Sequence, residues 1–101
     1  MDGTFKAKLW VNEKPIPMND FVEEFLSHTM VGAVTSLRGV QKIHKLNIHQ
    51  KKGDVEIKVN DGEIPLTPFP NDIISNTLVG MVSSLRDVGE IGSIDIEVEI
   101  E

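Results

Sequence analysis

The chain has 101 residues, 40% hydrophobic and 26% charged, with a net charge of −6 at pH 7 and no cysteine. This is enough for one domain (1–101) with a single core, and it excludes disulfides and thiolate chemistry. No apolar run approaches the roughly 18 residues of a membrane span, and an acidic balance counts against nonspecific nucleic-acid binding, which needs Lys and Arg to neutralise phosphates. Met1 to Lys6 lacks the basic-then-apolar pattern of a signal peptide, so a cytoplasmic location is expected.

In chain order, Phe5, Ala7, Leu9 and Val11 alternate with Lys6, Lys8, Trp10 and Asn12, which predicts a strand with one buried face. A turn at Asn12-Glu13-Lys14 follows, and Ile16-Pro17-Met18 is expected to fold back as a short arm. Proline restricts such an arm to an edge, because it cannot donate a ladder hydrogen bond. Asn19 is placed to cap a helix over 20–38. On a wheel of about 100° per residue, Val22, Phe25, Leu26, Met30, Ala33 and Leu37 gather on one side. Gly39 is placed to end that helix in a left-handed cap. A second strand is expected over Lys45–His49, and Lys51-Lys52-Gly53-Asp54 makes a tight link to a third with Val55, Ile57 and Val59 inward.

From there the chain repeats itself 48 positions on. Asn60-Asp61-Gly62 is a turn signal; Ile64-Pro65-Leu66 is an arm; Thr67 is an N-cap before Pro68 and Pro70, which sit in a first helical turn where a missing N–H is harmless. A helix over 68–86 gathers Ile73, Ile74, Leu78, Met81 and Leu85, and a last strand runs from Ser93 to Glu101. Val11-Asn12 matches Val59-Asn60, Ile16-Pro17 matches Ile64-Pro65, and Phe21 matches Phe69. Thr29, Val31 and Gly32 match Thr77, Val79 and Gly80, and Ser36-Leu37-Arg38 matches Ser84-Leu85-Arg86. Sixteen positions between 11 and 48 are identical to their partners between 59 and 96, without a gap. Such a period marks a supersecondary unit copied in tandem, here about 4–52 and 53–101.

Two copies of strand-helix-strand joined by a hairpin give βαββαβ. This pattern resembles the ferredoxin-like fold over the whole chain. It implies an α+β sandwich of two pseudo-symmetric βαβ repeats, with a four-stranded antiparallel sheet in the order 4-1-3-2 and two helices on one face. The phrases Asn60 to Leu66 and Leu78 to Leu85 are also similar to small uncharacterised prokaryotic proteins, a resemblance that carries no biochemistry. The fold itself hosts many unrelated functions.

Little in the residues points to catalysis, metal or cofactor. His28, His44 and His49 match no ligand spacing, no glycine-rich phosphate loop or Gly-x-Ser-x-Gly elbow is present, and no catalytic residue is assigned. Asp95, Glu97, Glu99 and Glu101 share one face of the last strand. They form either a cation-binding stripe or a recognition edge for a basic partner, or, at the sheet edge this order implies, charge that discourages aggregation. The second strand, the other expected edge, is basic at Lys45, His49 and Lys51, which raises head-to-tail pairing between molecules. Arg38 and Arg86 end the two helices. They are candidates for a two-armed anion clamp, although opposing the helix dipole is reason enough for them. Val31, Val34, Val79 and Val82 fall away from the sheet-facing stripe and form either an interface or the filling between the helices. Gly32-x-x-x-Ser36 and Gly80-x-x-x-Ser84 offer small flanks for a close approach of the two helices. Trp10 faces away from the helices, as a partner anchor or covered by lysine stems.

The leading expectation is a non-catalytic interaction or assembly module, self-associating or taking a protein partner, without membrane or nucleic acid. A metabolite-binding regulatory domain is the alternative, and an enzyme with a site shared between subunits is third. The repeat mismatches Trp10/Lys58, Lys45/Ser93 and His49/Glu97 are where specificity is expected.

Overall fold

A computed structural model of the chain describes residues 4–37, 40, 42–85 and 88–101. Strand β1 (Phe5–Val11) ends at Asn12 and Glu13, whose φ values are 54° and 68°. Two successive positive φ values are the pattern of a type I′ turn, and asparagine tolerates that region better than most residues. The chain therefore reverses at once, and β2 (Lys14–Pro15) lies antiparallel on β1 with Val11 opposite Lys14. After helix α1 (Asp20–Thr35), strand β3 (Lys45–Lys51) turns through Lys52-Gly53 into β4 (Asp54–Val59). That strand reverses at Asn60 and Asp61, φ 52° and 71°, into β5 (Gly62–Ile64). Helix α2 (Pro68–Ser83) and β6 (Ser93–Ile100) complete the chain.

The helix starts differ in a way the residues explain. Asn19 accepts from the Val22 amide at 2.8 Å. Thr67, at the equivalent position, makes no capping bond, because Pro70 stands where Val22 does and has no N–H to give. Both helices stop three residues short of the expected 38 and 86. The hydroxyls of Thr35 and Ser36 donate to the Gly32 carbonyl, and those of Ser83 and Ser84 to Gly80. Such local bonds compete with continuation of the helix.

All six strands pair antiparallel in one sheet, in the order β2-β1-β6-β3-β4-β5. The architecture is α+β, but the expected ferredoxin-like order of four strands, 4-1-3-2, is overturned. In that order the strands opening each half, β1 and β4, would meet in the middle; here β6 and β3 meet instead. The arms are the cause. β2 occupies one edge of β1 and β5 one edge of β4, so each of these strands has a single edge left and must lie outside. The exposed edges of the sheet are accordingly the two short arms and the starts of β1 and β4 that they leave uncovered, with Pro15 in one arm and Pro65 just past the other, which suits an edge.

This corrects the placing of the acidic strand as well. β6 is interior and bonded on both sides, as is β3, so neither offers an edge for head-to-tail pairing between molecules. On the face away from the helices, Glu99 lies between Lys6 and Lys45, Glu97 between Lys8 and Asn47, and Asp95 between Trp10 and His49. An acidic strand set between two basic ones is favourable, each cross-strand pair contributing about 0.2–1 kcal/mol.

Residues 48 apart do the same work elsewhere. Asn12 Oδ1 accepts from the amides of Gly92 and Ser93 while its amide donates to the Glu90 carbonyl. Asn60 does the same with His44, Lys45 and Lys42. Each asparagine thus fastens the start of an inner strand to the end of an outer one. Glu23 takes the free edge amide of Ala7, and Asn71 that of Val55, both at 2.8 Å. The core lies between the sheet and both helices. Leu26, Met30 and Val34 of α1 and Ile74, Leu78 and Val82 of α2 pack with Leu9, Leu46, Ile48, Ile57, Ile94, Ile96 and Val98.

Candidate functional site

Each helix lays the same stripe on the sheet: Leu26, Ser27, Met30 and Val34 in α1, and Ile74, Ser75, Leu78 and Val82 in α2. Relative to the expected wheel, both helices are turned by less than one residue step (about 100°). The consequence is large. Phe25 and Ile73, expected against the sheet, are 53% and 51% exposed, and Phe21 and Phe69 before them are 73% and 74% exposed. Phe21 and Phe25 stack with ring centroids 5.9 Å apart.

The expected close approach of the glycine flanks does not occur. Gly32 and Gly80 are exposed, and a Cβ built on either meets no atom within 4 Å. A groove of about 540 Å³ opens beside Gly80, lined by Phe21, Val22 and Phe25 of α1 and by Thr77, Met81 and Leu85 of α2, among others. Neither helix contains Lys or Arg. The outermost stripes, Phe21-Phe25-His28-Gly32 and Phe69-Ile73-Asn76-Gly80, carry no Lys, Arg, Asp or Glu. Glu24 and Asp72 stand roughly 100° round their helices from Phe25 and Ile73.

The opposite face of the sheet is polar. A hollow of about 600 Å³ is lined by Trp10, Asn47, His49, Glu56, Asp95 and Glu97, among others. His49 Nδ1 is hydrogen-bonded to Asp95 Oδ1. A carboxylate only accepts, so the ring is held with its proton on Nδ1 and Nε2 is the remaining polar atom. His28 packs instead on Phe5, centroids 4.5 Å apart. Among the described residues, no group of three or more His, Asp or Glu side chains is placed to hold a metal ion, and no helix is long and apolar enough to cross a membrane.

The residues singled out in the sequence fall in several places. Val34 and Val82 have no accessible surface, while Val31 and Val79 are half-buried at the margin of the core. Trp10 is half-buried in the polar hollow; Glu97 beside it is half-buried, and Glu99 is exposed on the same interior strand. Arg38, Gly39 and Arg86 lie outside the described residues. The exposed quartet departs from the expected apolar stripe at Phe25 and Ile73, whereas Phe21 and Phe69, an identical pair in the repeat, lie outside that stripe. The His49–Asp95 pair was hidden because the expected strand order kept the two strands apart. Comparisons with protein-family models, with curated proteins and with solved structures found no match for the chain.

Proposed function

We propose that the protein is a non-catalytic interaction module that docks through the outer face of its helix layer. The observation that carries this is the exposure of Phe21, Phe25, Phe69 and Ile73, each more than half accessible and arranged as two pairs 48 residues apart. Single exposed apolar residues are ordinary, but two such pairs, one on each helix of a layer without Lys or Arg, are what protein interfaces present. Side chains kept for docking contribute little to the fold of the isolated chain. Phe25→Ser should therefore cost under about 1 kcal/mol in chemical denaturation, against about 2–5 kcal/mol for Leu26→Ala one position on. A loss at Phe25 as large as that at Leu26 makes the face structural and removes the proposal.

The polar hollow favours a second reading, a small-molecule site. Trp10 offers a flat apolar surface beside the carboxylate of Asp95 and the imidazole of His49, and such convergence of groups in a hollow is typical of ligand sites. Trp10 is the only tryptophan, so its emission reports entry of a ligand directly. A metabolite screen that shifts neither that emission nor the melting temperature rejects this reading.

A further inference from the structure

We propose that the partner of the helix face is a second copy of this chain, giving an isologous dimer with four helices between two sheets. This rests on the helix layer being a docking surface and names its occupant.

Three observations point to self-pairing. The first is charge. A basic or acidic partner needs countercharge where it lands, yet the outward stripes of both helices hold no Lys, Arg, Asp or Glu, His28 being their one imidazole, and the nearest carboxylates, Glu24 and Asp72, stand on the flanks. A surface that carries no charge is also one that does not repel its own copy.

The second is shape. The same face bears projections and hollows side by side. Phe21 and Phe25 stand along one wall of the groove, and Gly80, with open space where a side chain would be, lies on the other. Forty-eight residues away, Phe69 and Ile73 project from α2 and Gly32 lies open on α1. A twofold axis across the layer sets the aromatic rings of one molecule over the glycines of the other, and every such contact is then made twice, as an isologous interface requires.

The third is area. A large side chain offers about 200 Å², so the exposed fractions of the four residues amount to roughly 500 Å² per chain. A stable interface takes about 800 Å² per partner. The remaining surface, about 300 Å² per chain, falls to the exposed His28, Gly32, Asn76, Gly80 and Ser84 together with the half-buried groove walls at Thr77 and Met81.

The test is the molar mass of the purified chain by sedimentation equilibrium, from about 1 µM to 200 µM. The expected mass approaches twice 11.2 kDa. Gly32→Lys with Gly80→Lys should give a folded monomer, because both sites are open in the single chain whereas a lysine there buries charge between copies. Phe21→Ser with Phe69→Ser provides a second route to the same result. High salt should leave the association unchanged or strengthen it by screening Glu24 and Asp72. A wild-type chain that stays at 11.2 kDa throughout overturns self-pairing, whatever Phe25→Ser shows about docking. A dimer that survives in the folded double-lysine and double-serine variants, or that dissociates in salt, overturns it as well, because the contact then lies elsewhere.

Discussion

Ser27 and Ser75 occupy equivalent buried positions in the two helices, yet they differ in whether a polar side chain reaches them. Ser75 Oγ accepts from Gln50 Nε2 at 3.1 Å. The residue 48 positions after Gln50 is Val98, and Ser27 Oγ is left buried with no partner. The same substitution should therefore have opposite signs at the two sites. Ser27→Ala removes an uncompensated hydroxyl, relieving about 1 kcal/mol, and gains about 0.5 kcal/mol of helix propensity. Ser75→Ala gains the same propensity but strands the amide of Gln50, whose Oε1 is already unpaired, at about 1–3 kcal/mol. The two variants should differ by about 3 kcal/mol. In a domain of this size that is more than 10 °C in melting temperature, readily measured by urea denaturation followed at Trp10. A control isolates the cause. With Gln50→Val, which copies the Val98 side, Ser75→Ala should become stabilising as Ser27→Ala is, and the cycle then measures the coupling directly. Equal effects at Ser27 and Ser75, within about 0.5 kcal/mol, refute the reasoning.

Gly32→Ala and Gly80→Ala should each stabilise dilute protein by about 0.5–1 kcal/mol, since both are exposed helical glycines whose new Cβ meets nothing; thermal melts that fall instead mean that the sites are crowded. Asn60→Gly keeps the φ of 52° but loses three hydrogen bonds, and a loss of about 1–2 kcal/mol is expected. Asn60→Ala adds a further ~1 kcal/mol for the left-handed backbone, and equal losses for the two would show that the conformation is not strained. Glu97→Lys places a third positive charge beside Lys8 and near Lys58, so stability should fall by about 0.5–1 kcal/mol at low salt and partly recover at high salt. No salt dependence would mean that the alternating charges of that face contribute nothing.

Most local structure was legible in the residues. The alternation in 5–11 and 55–59, the Asn19 cap and the tight turns at 12–13, 52–53 and 60–61 all follow from backbone and side-chain preferences within a few positions. What was not legible is how the strands choose neighbours, which depends on edges rather than on any one strand. The deciding clue was present in part: arms are expected at Ile16-Pro17-Met18 and Ile64-Pro65-Leu66, but the pairing segments come earlier, at Lys14–Pro15 and Gly62–Ile64, and an arm so placed uses up an edge of the strand that precedes it. The charges agreed, with basic residues on β1 and β3 and acidic ones on β6. The helix faces depart from the expected stripe for a different reason. Periodicity reports a stripe but locates its centre only loosely when apolar residues cover much of the wheel, and that margin separates a buried Phe25 from an exposed one.

The placing of β6 between β1 and β3 has a bearing on synthesis. Phe5 pairs with Ile100, so β1 is synthesised before both helices, β3 and β4, and its long partner follows only after all of them. Meanwhile β3 and β4 close as a local hairpin and offer an open edge that only β6 is meant to fill. A stalled or truncated nascent chain therefore presents two unsatisfied strand edges at once, and pairing of those edges between neighbouring chains on one message is its natural misassembly.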